Sequence, residues 1–127
     1  MGFQSVYGLR FARFAPFDSE EQRVAALEQQ VVDVAVMFTT DGVLATGKFV
    51  LLDDDRHLQP SENIAPLASN RAIDTYGTAV TGALETVSAR LTSQDLVFLN
   101  WRISLGGKDT AAEARGWLER HGLVARS

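Results

Sequence analysis

The residues best placed to do chemistry are Phe38-Thr39-Thr40-Asp41, which put an aromatic ring, two hydroxyls and a carboxylate in four consecutive positions. An aromatic face beside a carboxylate suits a cation, and free backbone N–H groups at a helix start suit an anion. Together they fit a small zwitterion. The same tetrad also reads simply as an aromatic strand end followed by a capped helix. A second cluster, Asp53-Asp54-Asp55 with His57 and Glu62 nearby, could hold Mg²⁺ or Ca²⁺, or serve as a phospho-acceptor group at a strand end. Its spacing matches no EF-hand loop, and a solvated acidic turn that stops a strand is the simpler account. His121 sits at a helix C-terminus, where a capping role is sufficient. Gly106-Gly107-Lys108 is a lone turn with no strand before it, and the chain has no dinucleotide fingerprint, P-loop or Gly-x-Ser-x-Gly. No His and Asp arrangement is suggested for activating a serine. Trp101 and Trp117 fall at helical spacing with other apolar residues, as core residues do.

The elements that would position the tetrad follow from the apolar pattern. Val31 to Phe38 is an apolar run broken only by Asp33, which reads as a strand buried on both faces of a parallel sheet. The tetrad then lies at the carboxyl end of that strand, where open α/β sheets collect ligands. Upstream, Ser19 and Gln22 form a capping-box pattern that opens a helix with Val24, Leu27 and Val31 on one face. Downstream, Asp41 to Gly47 reads as a short helix closed by Gly47, and Phe49-Val50-Leu51-Leu52 as a second buried strand. That α-β-α-β order predicts a parallel sheet with right-handed crossovers. Gln4 to Leu9 could be a helix tail stopped by Gly8, and the alternation around Phe11, Phe14 and Phe17 suggests a short edge strand. Gln59 to Leu67 is extended around Pro60 and Pro66. From Ala68 the chain is nearly all helix. One helix runs from Asn70 to Tyr76 and one from Thr78 to Leu91. A third is capped by Thr92 to Asp95. The last starts at Asp109 or Thr110, with Thr110 and Glu113 as a capping box, and buries Ala114, Trp117 and Leu118.

Composition bounds the rest. A chain of 127 residues implies one domain. A net charge of −4 argues against nucleic acid and anionic membranes as partners. The absence of cysteine removes disulfides, thiolate metal sites and cysteine nucleophiles together. No apolar stretch approaches the roughly 18 residues that span a bilayer. The opening Met1-Gly2-Phe3-Gln4-Ser5 lacks the basic start and apolar core of a signal peptide, so the sequence as written is expected to stay in the cytoplasm.

A longer series of residues carries a resemblance. Tyr7-Gly8-Leu9, Asp33-Val34-Ala35, Phe38-Thr39-Thr40-Asp41, Phe49 to Asp55, Gln59-Pro60, Ala65-Pro66, Leu91-Thr92, Leu99-Asn100, Gly107-Lys108-Asp109, Trp117-Leu118 and Gly122-Leu123 occur in one order without large gaps. The series resembles the C-terminal part of the osmoprotectant substrate-binding proteins of ABC transporters, the group that takes glycine betaine, carnitine, choline and proline betaine. The resemblance implies a non-enzymatic, two-lobed type II binding protein that closes on its solute and delivers it to a membrane permease and ATPase. It also implies an extracytoplasmic location and no cofactor. Members hold a quaternary ammonium in an aromatic cage by cation–π attraction. The matching segment makes Phe38 the cage candidate, with Thr39, Thr40 and Asp41 beside it. A second cage tyrosine commonly lies in a Pro-Pro-Tyr-x-x-Ala-Pro segment. Here Glu62 stands at that place within Pro60 to Pro66, where a carboxylate attracts a cation without forming a cage wall.

Members of that group are much longer. The expectation is therefore a truncated binding protein: a partial type II periplasmic-binding-protein lobe, α/β with a short, mainly parallel sheet and flanking helices, followed by a helical C-terminal segment. Residues 1–58 would be the second-lobe α/β segment, 59–67 the inter-lobe crossing, and 68–127 the helical C-terminal segment of the first lobe. A helical half without its sheet would expose apolar surface, which two copies could cover as a homodimer. The rival expectations are a structural remnant or self-associating fragment that binds no solute, and a small α/β enzyme using Asp53 to Asp55 with a divalent metal.

Overall fold

Helix signals in the sequence translate directly into structure, and strand signals do not. The protein is represented by a computed structural model that describes residues 2–125. The described residues form α1 (Gly2–Tyr7), α2 (Glu20–Glu28), a 3₁₀ turn (Gly42–Thr46), α3 (Asn70–Tyr76), α4 (Thr78–Ser88), α5 (Ser93–Asn100), a π-helical turn (Trp101–Leu105) and α6 (Thr110–Arg120). Side chains cap four of the helix starts. Ser19 accepts from the Gln22 N–H at 3.3 Å, while the Gln22 side chain reaches one residue further back and accepts from the Asp18 N–H at 3.0 Å. Ser69 accepts from the Ala72 N–H. Thr92 and Asp95 form a reciprocal capping box on α5. α6 is capped by Asp109, which accepts from the Ala112 N–H at 2.8 Å. Glu113 is therefore not a capping partner of Thr110. It bonds Arg102 at 2.6 Å instead, and the guanidinium holds its carboxyl below the usual carboxylate range.

Three helices are followed by a left-handed residue, after which the next N–H reaches back to a helix carbonyl. After α1, Gly8 takes φ 71° and the Leu9 N–H reaches the Phe3 carbonyl. After α6, Gly122 takes φ 67° and the Leu123 N–H reaches Leu118. After α2 the left-handed residue is Gln30, φ 57°, with the Val31 N–H bonded to the Ala26 carbonyl at 2.8 Å and the Gln30 N–H to Leu27. This is a Schellman closure with a side chain where glycine is preferred.

The expected parallel sheet is not formed: the described residues contain no strand, and the fold is helical in class. Val31 to Phe38, Phe49 to Leu52 and the stretch around Phe11 to Phe17 are irregular chain. The reasons are local. Val31 and Val32 both donate to the Ala26 carbonyl, so the first residues of the apolar run belong to the end of α2. The run and Phe49 to Leu52 are joined through a 3₁₀ turn of five residues, whereas a parallel crossover needs about a dozen residues or more. Two isolated strands would in any case be marginal without a third. Many of their apolar side chains consequently stay in solvent, with Val36 at 62% and Val50 at 85% exposure, while Val32, Met37 and Phe49 are half-buried.

Among the described residues the buried apolar side chains are those of Ala26 on α2, Val43 on the 3₁₀ turn and Trp117 on α6. α5 and the π-helical turn pack on the 3₁₀ turn, and α6 packs on the π-helical turn. Trp117 stacks on His121 at a centroid distance of 4.2 Å, and the His121 ring nitrogen Nδ1 lies 2.9 Å from the Trp117 carbonyl at the helix end. Ala114, expected inside, is exposed, and Trp101 is more than a third exposed.

Candidate functional site

The tetrad folds as a tight turn at the head of the 3₁₀ element. The Asp41 N–H bonds the Phe38 carbonyl at 3.0 Å, and the Asp41 carboxylate accepts from the Phe38 N–H at 2.9 Å. Asp residues favour this local side-chain-to-backbone closure. Asp41 does not bond the 3₁₀ turn that follows it through its side chain, so the residue expected to cap a helix instead closes the turn before it. Its carboxylate is 3.7 Å from the Arg23 guanidinium of α2, and the residue is only 9% exposed. The Arg23 Nε–H also points at the Met37 sulfur. Glu20, at the N-terminal end of the same helix, accepts from the Val43 N–H at 3.2 Å. α2 thus holds the turn from one side.

α5 and the π-helical turn hold it from the other side. The Asn100 side-chain amide donates to the Thr40 carbonyl at 2.7 Å. Gly42 lies against the backbone where α5 passes into the π-helical turn: a Cβ there would be 2.5 Å from the Trp101 nitrogen and 2.7 Å from the Asn100 carbonyl carbon. Only glycine permits that approach.

What the turn presents to solvent is the Phe38 ring, 59% exposed, and the Thr39 side chain. Thr39 lines an open cavity of about 250 Å³ with Ala45 of the 3₁₀ turn and Ser93, Gln94, Val97 and Phe98 of α5. Phe98 packs against Trp101 with ring centroids 5.8 Å apart, and the Arg102 guanidinium lies 6.0 Å from the Phe98 ring. The structure therefore brings Phe38, Thr39, Thr40 and Asp41 into one turn and gives them different jobs. Phe38 and Thr39 face outward, whereas Thr40 and Asp41 are tied down through backbone and carboxylate. Glu62 is exposed on the irregular chain between Gln59 and Ser69 and is not among the residues lining the cavity. Ser93, Gln94 and Phe98 carry no functional signal in the sequence. The Thr92–Asp95 capping box marks where α5 starts, but its docking on the 3₁₀ turn has no local signal.

The acidic turn is a structural clasp. Asp54 accepts from the backbone N–H groups of Gln59 at 2.7 Å and Leu58 at 3.0 Å, and from the Tyr7 hydroxyl of α1. Those bonds, led by the one from Gln59, hold its carboxyl below the usual aspartate range. Desolvation, followed by the bond to Asp54, pushes the Tyr7 phenol up to about 12. The Arg56 N–H donates to the Tyr7 oxygen at 2.9 Å, its guanidinium donates to the Val6 carbonyl at 2.6 Å and lies 5.5 Å from the Tyr7 ring. Asp54 is thus spent on N–H and O–H donors. Among the described residues no group of three His, Asp or Glu side chains is arranged to hold a metal ion.

No helix among the described residues is long and apolar enough to cross a membrane. Residues 1–120 match the family model for the substrate binding domain of the ABC-type glycine betaine transport system. No solved structure matches the chain.

Proposed function

This chain belongs to the family of substrate-binding domains of ABC-type glycine betaine transport systems, and from that premise we propose that it binds a quaternary-ammonium or zwitterionic solute at the Phe38–Asp41 turn. The family binds small molecules, is not enzymatic, is extracytoplasmic and works with an ABC permease and ATPase. For this chain the solute is glycine betaine, choline or carnitine, and delivery is to such a permease.

One observation carries the reading: a turn whose carboxylate is nearly buried sets the Thr39 side chain in the lining of an open cavity and exposes the Phe38 ring at the adjacent position. The Phe38 ring offers its face to a methylated ammonium, which carries no N–H to satisfy and so loses little on leaving water. The Thr39 hydroxyl is free to donate to a carboxylate or hydroxyl of the solute. Asp41, paired with Arg23, serves to hold the turn, and Glu62 attracts the cation without lining the cavity. Residues 1–58 and 68–127 would be the contributions of the two lobes, with 59–67 crossing between them. Titration calorimetry with glycine betaine, choline, carnitine and proline tests the reading. Heat with a methylated ammonium and none with proline supports it. A folded sample that gives no heat with any of the four overturns it.

A second reading is self-association, favoured by the exposure of Val34, Val36, Val50, Leu51 and Leu52 on irregular chain. Light scattering decides it: a dimer mass supports it, and a monomer across a wide concentration range removes it.

A further inference from the structure

We propose that Asn100 is the positioning residue of this site, fixing the Phe38–Asp41 turn through the carbonyl of Thr40. The inference rests on the binding reading above for its functional consequence, but not for its structural one.

The turn is short and irregular, and its own closure is a single pair of bonds between Phe38 and Asp41. Those bonds shape the turn without saying where it sits. The Glu20 bond to the Val43 N–H holds the chain just after the turn, and two contacts reach the turn itself. The Arg23–Asp41 pair comes from α2 at 3.7 Å, a distance at which a guanidinium attracts a carboxylate without fixing its direction. The Asn100 amide is a directed donor at 2.7 Å to a backbone acceptor 60 residues away. Its carbonyl target lies between Thr39, which faces the cavity, and Asp41, which faces α2. A rotation of that peptide plane would swing both side chains.

The neighbourhood reinforces the point. Asn100 is the last residue of α5, and the helix widens into a π turn at the next residue. Such single widened turns cost helix regularity and tend to occur where a helix serves a site. Here the backbone at the start of the widened turn is what Gly42 abuts. Asn100 and the Gly42 contact therefore grip the chain on either side of Asp41. An Asp at position 100 keeps the shape but presents an acceptor to an acceptor, and an Ala leaves the Thr40 carbonyl in a part-buried place without its donor.

The test compares Asn100→Ala and Asn100→Asp with Tyr7→Phe, which weakens the remote clasp on α1 and touches no part of the site. Amide hydrogen exchange by NMR is read in the solute-free protein at Asp41 and Val43, with the amides of α6 as internal reference. The glycine betaine Kd is then measured by calorimetry. Both Asn100 variants are expected to speed exchange at the turn about tenfold relative to α6 and to weaken glycine betaine about tenfold, as loss of one directed hydrogen bond does. Tyr7→Phe is expected to lower Tm while leaving turn exchange and Kd unchanged. Unchanged turn exchange in Asn100→Ala and Asn100→Asp overturns the inference, as does an equal loss of affinity in Tyr7→Phe. If the parent chain takes up no glycine betaine, the binding reading fails, and the turn amides still decide whether Asn100 positions the turn.

Discussion

Gly42→Ala sets two opposing effects against each other, and the structure says which wins. Replacing glycine by alanine away from the left-handed region removes chain entropy from the unfolded state and stabilises by about 0.4–1 kcal/mol where there is room. At Gly42 there is none. The added methyl would stand 2.5 Å from the Trp101 nitrogen and 2.7 Å from both the Asn100 carbonyl carbon and the Trp101 Cα, all backbone atoms. Contacts between such atoms are comfortable at about 3.5–4 Å. The junction of α5 with the π-helical turn must therefore retreat by roughly 1 Å to restore that separation. Overpacking of this kind costs about 1–3 kcal/mol. The retreat also stretches the 2.7 Å bond from Asn100 to Thr40, worth about 1 kcal/mol. Set against the entropic gain, the net destabilisation is about 1–3.5 kcal/mol. For a domain of this size that lowers Tm by about 4–14 °C. Thermal unfolding followed by circular dichroism measures it, with Gly47→Ala as the comparison. Gly47 has φ 67° and open space within 4 Å of where a methyl group would stand, so its variant is limited to left-handed strain of about 1 kcal/mol. A Gly42→Ala protein that melts within about 2 °C of the parent, or above it, refutes the packing argument.

Three further outcomes follow from the same structure. Gln30→Gly relieves a left-handed residue in the α2 closure and should raise stability by about 1 kcal/mol in urea unfolding, with the m-value unchanged. Asp54→Asn should flatten the acid limb of the stability curve. Because the folded-state carboxyl is held below its ordinary range, its contribution is complete above the unfolded aspartate pKa and disappears as pH falls through the lower folded value. Stability measured from about pH 7 down to about pH 2 should then show a shallower decline in the variant than in the parent; parallel curves would remove Asp54 as the cause. Phe38→Ala, at a ring mostly in solvent, should leave Tm within about 2 °C while weakening glycine betaine roughly 3- to 30-fold, the range of a cation–π contact.

Helix boundaries are legible in the sequence because their signals are local. Ser19, Thr92, Asp109, Gly8, Gly47 and Gly122 announce starts and stops by their own chemistry. Gln30 closes a helix in a glycine's place, so the end of α2 reads as the beginning of a strand. The strand signals mislead because an apolar β-branched run states only a preference for burial on a sheet. Whether it is satisfied depends on partners elsewhere in the chain. The candidate site is legible in part. Residue type marks Phe38 to Asp41, but their division of labour depends on Arg23 and Asn100, and no local pattern links either to the turn. Membership of a glycine betaine binding family is legible from an ordered series of short segments rather than from any one of them.

The irregular stretch from Lys48 to Asp55 has a consequence for how the protein behaves in the tube. Val50, Leu51 and Leu52 are consecutive exposed apolar residues, a short window of high β-propensity of the sort that seeds intermolecular pairing. Lys48 stands on one side and Asp53-Asp54-Asp55 on the other, as charged gatekeepers. The acidic side serves twice, since Asp54 also clasps α1 to the turn. Acidification toward the sequence pI of 5.1 removes net charge from the whole molecule. Further acidification protonates Asp54, one of the gatekeepers and the centre of the clasp, whose carboxyl is held below the usual aspartate range. Colloidal stability and folding stability in this protein therefore share a molecular fuse, and the pH of storage governs both.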